Sequence, residues 1–210
     1  KFKYGKFFGS IIANIHKICL KRNPNSYIAV SKSILNIYKE KGINISCIQN
    51  GVDIAHFSKS TKEDKNLLKS KLYIPLNKDV FLTSGRLVKS KNLLTTIKGF
   101  NKFNKGDSML LIVGDGKERE FLNSFASESI VFVGFTDSIL DYYRISDFFI
   151  SSSLTEGFPM AVLESMAVGL LPILSDIEPH KEIISETNLP TFEATNANQL
   201  ADCINNVVLN

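Results

Sequence analysis

Residues 148–174 read Phe148-Phe-Ile-Ser-Ser-Ser-Leu-Thr-Glu156-Gly-Phe-Pro-Met-Ala-Val-Leu-Glu164-Ser-Met-Ala-Val-Gly169-Leu-Leu-Pro-Ile-Leu174. A short aromatic and β-branched run, Phe148 to Ile150, has the composition of a strand. Residues 159–168 then read as a helix. Pro159 suits its first turn, where the missing N–H costs nothing, and Gly169 follows its end. Pro172 to Leu174 is a second strand-like run. The same alternation continues outward in both directions. Further strand-like runs fall at 27–30, 45–49, 80–83, 109–113 and 130–133, and helical stretches at 31–41, 62–72, 92–104, 117–127, 137–145, 178–186 and 196–208. Ser31, Asn92, Asp137, Pro159 and Asn196 open several of these helices. Strands alternating with helices of this size predict an α/β fold: a Rossmann-like parallel sheet with helices on both faces. The apolar run Leu110 to Val113 fits a strand buried on both sides.

Composition narrows the classes. The chain has 210 residues, 44% hydrophobic and 22% charged, which excludes disorder, collagen and a disulfide scaffold. Three scattered cysteines (Cys19, Cys47, Cys203), no CxxC pair and three histidines argue against a zinc site and fit a reducing cytosol. Residues 1–39 hold eight of the 25 Lys/Arg and none of the 21 Asp/Glu, so the remainder carries 17 basic against 21 acidic residues, a net of −4. The basic excess is therefore a property of the N-terminal segment. A solvated face, anionic lipid and nucleic acid are its three readings. Phe2, Tyr4, Phe7 and Phe8 interleave with lysines there, which fits a membrane-surface helix as well as base stacking, and fits best a helix belonging to a further domain. No apolar run approaches the roughly 20 residues of a membrane helix. Phe7 to Ile15 is too short, and no cleavage site follows it. The first residue is Lys1, not Met, so the chain is expected to be a piece of something longer. Asn50-Gly51-Val52-Asp53 is turn chemistry and opens a linker over 50–60 between two Rossmann-like units.

Ligands of an open parallel sheet bind beyond the carboxyl ends of the strands. After 80–83 come Gly85 and Arg86, with Lys91 just before a helix. These cations suit a diphosphate, or belong to a solvated glycine turn. After 109–113, Gly114-Asp115-Gly116 permits a tight turn or a close ligand approach. Gly134-Phe135 either faces a base or simply packs. After 148–150, Glu156 stands before a helix and Glu164 inside it, among apolar neighbours. A carboxylate there needs partners, and sugar hydroxyls supply them. The free N–H groups around Met160 and Ala161 at that helix start make an anion site.

The ordered motifs resemble those of family-4 glycosyltransferases, which have the GT-B fold. Glu156-x7-Glu164 resembles their E-x7-E signature, and Gly85-Arg86-Leu87 to Lys91-Asn92 their GR-L…K-(G/N) element. Gly114-Asp-Gly116, Val133-Gly-Phe135, Gln49-Asn-Gly-Val-Asp53 and Val30-Ser31-Lys32 fall in matching order, over about residues 27–208. The resemblance implies a remnant of an N-terminal acceptor domain at 1–49, a hinge at 50–60 and a nucleotide-sugar donor-binding domain at 61–210. Arg86 and Lys91 are then the diphosphate ligands and, with Glu156, the catalytic group. Glu156 lies at the donor sugar and Glu164 at the ribose. Gly85, Gly157, Phe158, Pro159, Met160 and Ala161 surround the sugar and distal phosphate, and Gly134 and Phe135 lie near the base. The implied reaction is retaining hexosyl transfer without metal or other cofactor. Its donor is a nucleotide-diphosphate sugar. Its acceptor is a glycan or lipid-linked glycan, as in bacterial-type surface polysaccharide synthesis, with the protein cytoplasmic or peripheral on the cytoplasmic face of the inner membrane. Nucleic acid is not an implied partner. The alternative is a donor-binding module without transferase activity, since the acceptor domain is almost wholly absent. One departure is Gly169-Leu170-Leu171-Pro172, one residue longer than the family's G-x-P. Among the remaining polar residues, Asp53 reads as a hinge turn and His16 and His56 as structural. His180 reads as a solvent-facing helix start or, less readily, a ligand contact. Lys89 and Asn92 could reach a phosphate but are not counted as ligands.

Overall fold

The structure, a computed structural model, describes residue 18 and residues 27–103 and 106–209. The aromatic and basic residues of 1–17, with His16 and Cys19, lie outside the described residues. The chain divides into two compact units, Lys1–Asn50 and Gly51–Asn210. In the first, β1 (Ile28–Ala29), α1 (Lys32–Lys39) and β2 (Ser46–Cys47) form a strand–helix–strand, with Ile28 beside Ser46 in a parallel pair. Ser31 starts α1, its hydroxyl accepting from Ile34 N–H at 3.2 Å.

The second unit runs α2 (Lys62–Lys71), β3 (Asp79–Ser84), a 3-10 turn (Lys89–Lys91), α3 (Leu93–Phe103), β4 (Ser108–Val113), α4 (Arg119–Asn123) and β5 (Ile130–Gly134). It continues with α5 (Ile139–Ile145), β6 (Phe148–Ser151), α6 (Met160–Val168), β7 (Leu171–Ser175), α7 (Glu178–Ile183), β8 (Thr191–Phe192) and α8 (Ala197–Leu209). Strand order is β5-β4-β3-β6-β7-β8, all parallel. The chain starts in the middle of the sheet, winds outward to β5, returns to β6 beside β3 and winds outward again. The order therefore reverses between β3 and β6, and a crevice opens beyond their carboxyl ends.

Alternation along the strands feeds two cores. Phe81, Leu110, Ile112, Ile130, Ile150, Ile173 and Phe192 pack under α3, α4 and α8. Val80, Leu82, Leu111, Val113, Phe149 and Leu174 pack on the other face under α5 and α6, with Leu68 and Leu72 of α2. Period-2 side-chain direction puts consecutive residues on opposite faces, and both faces are apolar because both are covered. Gly99 lets α3 close on α8, since a Cβ there would meet Leu200 Cδ2 at 2.7 Å.

Four local expectations change. β8 follows Pro190 and is two residues long, too short to show a period. α4 is shorter than 117–127. Glu118 N–H goes to Leu87 O, and Asn101 of α3 takes Phe125 O, so both flanks serve neighbouring loops. α7 stops at Ile183 because Thr187 turns back on Ile184 O through its N–H and its hydroxyl. Thr61, whose hydroxyl accepts from Asp64 N–H at 3.1 Å, caps α2. Ser138, not Asp137, holds the cap position of α5. The extra residue after Gly169 is absorbed without disturbing the α6 end. Gly169 sits at φ +94, Leu170 N–H closes on Ser165 O at 3.0 Å, and Leu170 is buried.

Candidate functional site

Three loops are stitched along the carboxyl edge. Gly85 N–H donates to Val113 O, Leu87 N–H to Asp115 O and Gly114 N–H to Gly134 O, at 2.8–2.9 Å. A Cβ on Gly114 would lie 2.0 Å from Gly85 O, and one on Gly116 would lie 2.4 Å from Leu87 O. The glycines of Gly114-Asp115-Gly116 thus serve a close approach of backbone to backbone. Across the switch point, Ser152 Oγ reaches Asn92 O at 2.8 Å and Lys91 O at 3.2 Å, and Leu154 N–H donates to Ser90 O at 2.8 Å. Asn92 is structural: it holds φ +50 and donates to Ala194 O at 2.6 Å.

This lacing makes two adjoining clefts. The first, about 190 Å³, is walled by Thr83, Lys91, Ser151, Ser152, Ser153, Glu156, Phe158 and Pro159. The second, about 430 Å³, is walled by Gly114, Asp115, Phe135, Thr136, Ile139, Tyr143 and Glu164. Ser84, Gly85, Arg86, Met160 and Ala161 border both. Arg86 is exposed, and among the described residues its guanidinium has no carboxylate partner. The first N–H groups of α6, whose helix begins at Met160 with Pro159 as its cap residue, belong to this shared border. They have no carbonyl partner within the helix.

The first cleft holds one carboxylate, Glu156, and the second holds Glu164 beside Asp115, whose oxygens are taken by Gly116 N–H and Arg119. Lys91 Nζ lies 2.6 Å from Glu156 Oε1, and Ser153 Oγ donates to the same oxygen at 2.6 Å. Lys91 and Glu156, both read from sequence as ligand groups, are thus paired with each other here. Both contacts fall on Oε1, which leaves Oε2 without a protein partner among the described residues. In the second cleft Tyr143 Oη donates to Glu164 Oε2 at 3.0 Å. The phenol has one hydrogen, so Ser84 Oγ, 3.1 Å away, donates to it. Burial, reinforced by Glu164, pushes the Tyr143 hydroxyl far above its ordinary pKa. It remains a donor at any physiological pH.

The other sequence candidates fall as follows. Phe135 is exposed at the mouth of the second cleft. Gly134 ends β5 and gives its carbonyl to Gly114, and Gly157 is exposed in the turn before α6; neither lines a cleft. Asp53 makes a turn, its Oδ1 accepting from Ala55 and His56 N–H. His56 is exposed and packs edge-on to Phe57. Lys89 is exposed in the 3-10 turn. His180 overturns the solvent-facing reading: it is fully buried, with Nε2 3.3 Å from Ser151 Oγ and Nδ1 3.0 Å from both Ser175 O and Ser175 Oγ. Burial pushes its pKa down to about 4. Tyr143 and Ser153 were not read as site residues from the sequence. The run Ser151-Ser-Ser153 directly after a strand was the available signal for the second.

Comparison with known proteins gives a consistent picture. The family described as Glycosyl transferases group 1 matches residues 64–210. The chain is 31% identical over 174 residues to the UDP-Gal:alpha-D-GlcNAc-diphosphoundecaprenol alpha-1,3-galactosyltransferase of Escherichia coli, covering 76% of this chain and 42% of that protein. It is 28% identical over 163 residues to the alpha-monoglucosyldiacylglycerol synthase of Streptococcus pneumoniae, covering 72% and 36% respectively. The crystal structure of a glycosyltransferase from Rickettsia africae matches with a TM-score of 0.79 at 25% identity, over 90% of this chain and 54% of that one. The chain spans well under half the length of these two curated relatives.

Proposed function

The chain belongs to the group 1 glycosyl transferases, and on that premise we propose that it is the donor-binding half of an enzyme that moves a sugar from a nucleotide diphosphate to a lipid-linked or glycan acceptor. One observation carries the reading: two clefts meet at Arg86 and the start of α6, with a carboxylate in each. The larger cleft, with Phe135 at its mouth and Glu164 within, suits a nucleoside. Glu164, held by Tyr143, accepts from ribose hydroxyls. The shared border suits the diphosphate. Arg86 offers a planar fork of donors, and the α6 start offers N–H groups and the positive end of a helix dipole. The smaller cleft suits the sugar, which Glu156 meets through its free Oε2.

In this reading Lys91 leaves Glu156 for the diphosphate when donor enters. The transfer is retaining and needs no metal, because Arg86, Lys91 and the helix start stabilise the charge that grows on the leaving group. The bond between the anomeric carbon and the phosphate oxygen breaks and its electron pair leaves with the diphosphate. The acceptor hydroxyl adds on the same face, and its proton passes to a phosphate oxygen. The names of the two relatives, which contain diphosphoundecaprenol and diacylglycerol, support a lipid-borne acceptor and work at a membrane face. No helix among the described residues is long and apolar enough to cross a membrane. A second reading, donor binding without transfer by this chain alone, is favoured by the share of its relatives that it spans.

Calorimetric titration with UDP, GDP and ADP tests the proposal. One nucleotide is expected to bind, equally well with EDTA present. Arg86→Ala and Glu164→Ala are each expected to weaken it at least about tenfold, the worth of one charge-assisted contact. A folded chain that binds none of the three, or variants that bind as well as the parent, would overturn it.

A further inference from the structure

We infer that His180 is a positioning residue, which sets the carboxylate of Glu156 for the donor sugar through a chain of hydrogen bonds beneath the first cleft. The inference rests on the reading of Glu156 as the group that meets that sugar. His180 lies in α7, yet its ring is fully buried between the carboxyl ends of β6 and β7. The contacts fix its tautomer. Nδ1 is 3.0 Å from the carbonyl oxygen of Ser175, which only accepts, so Nδ1 carries the hydrogen. Nε2 of the neutral ring then accepts from Ser151 Oγ at 3.3 Å. Burial disfavours the charged ring.

From the ring one hydrogen-bonded link runs to Glu156. Nδ1–H also reaches Ser175 Oγ at 3.0 Å, and that hydroxyl donates to the backbone carbonyl of Ser153 at 2.7 Å. Ser153 Oγ in turn donates to Glu156 Oε1 at 2.6 Å. On the other side Ser151 gives its one hydrogen to Nε2 and Ser153 gives its own to Glu156, so the 3.4 Å between the two hydroxyl oxygens is a packing contact that carries no hydrogen bond. His180 thereby fastens both strand ends and the backbone of the residue whose hydroxyl holds the carboxylate. Nothing in this chain reaches the second cleft, where Glu164 has Tyr143 and Ser84 as its own supports. A merely structural histidine would weaken every ligand alike when removed. A positioning histidine affects the sugar and spares the nucleotide.

The test titrates UDP, UDP-glucose and UDP-galactose into the parent chain, His180→Ala, His180→Asn and Ser153→Ala, and follows amide hydrogen exchange at residues 153–157 without ligand. In His180→Ala the affinity ratio of the bound UDP-sugar to UDP falls about tenfold, and UDP itself changes less than twofold. Exchange at 153–157 rises about tenfold. His180→Asn, whose side-chain N–H replaces Nδ1–H, restores both readouts. Ser153→Ala lowers the ratio as His180→Ala does, and serves if His180→Ala does not fold. Equal loss for UDP and UDP-sugar, or unchanged exchange at 153–157 in a folded His180 variant, overturns the inference. If the parent binds none of the three nucleotides, the uridine-donor reading fails separately, and the exchange result alone decides the role of His180.

Discussion

Two ion pairs of nearly equal length sit at opposite ends of the same two strands. At the amino ends of β3 and β6, Lys65 Nζ lies 2.5 Å from Asp147 Oδ1; at the carboxyl ends, Lys91 Nζ lies 2.6 Å from Glu156 Oε1. Their surroundings differ. Asp147 also accepts from Val80 N–H at 3.0 Å, and Lys65 donates to Ser146 O at 2.9 Å, so that pair completes the start of the sheet. Nearby, Lys69 is buried with Nζ on Lys78 O at 2.9 Å, and burial lowers its pKa. Among the described residues no backbone group completes the pair at the other end. Lys91 and Glu156 line a cleft, one carboxylate oxygen is unused, and the support comes from a serine hydroxyl. A salt bridge is thus structural or exchangeable according to what else its atoms bind, not according to its length.

Breaking the first pair is expected to have the largest effect on stability. Asp147→Ala strands Val80 N–H, leaves Lys65 only Ser146 O, and costs about 2 kcal/mol of unfolding free energy. Glu156→Gln costs less than about 1 kcal/mol, since both pairs are part-exposed and this substitution keeps an acceptor for Ser153 Oγ and strands no backbone N–H. Urea unfolding of the two variants checks this, and equal losses would erase the contrast. Tyr143→Phe sharpens the same contrast by a smaller amount. It removes the hydroxyl on Glu164 while keeping the ring in the core. Nucleotide affinity is expected to fall about fivefold, near 1 kcal/mol, as measured by calorimetry. An unchanged affinity would mean that Glu164 needs no fixed orientation.

The strand and helix order was legible because it is written locally. Leu110 to Val113 is apolar throughout, and Pro159 and Gly169 bound α6. The spacing of Glu156 and Glu164 around that helix start was legible for the same reason. What joined them to other elements was not. Lys91 and Glu156 meet across 65 residues, and Tyr143 and Glu164 across 21. His180 and Ser151 lie 29 apart. The first contact is created by the strand order, which reverses between β3 and β6, and the other two by packing of neighbouring elements, and no local pattern reports either. His180 shows the limit clearly. A histidine near a helix start looks the same from its neighbours in sequence whether it faces water or two strand ends. Gly114 and Gly116 read as a tight turn or a close ligand approach, and the group that approaches them is the 85–87 backbone.

The carboxyl end of β3 and β6, and not the amino end, is expected to receive a nucleoside diphosphate. Titrating the isotope-labelled chain with UDP while following backbone amide resonances tests it most directly. The account predicts shifts concentrated at Gly85, Arg86, Phe135, Phe158, Met160, Ala161 and Glu164, with Lys65, Val80 and Asp147 unmoved. Shifts confined to the amino end, or none at millimolar nucleotide, would contradict it.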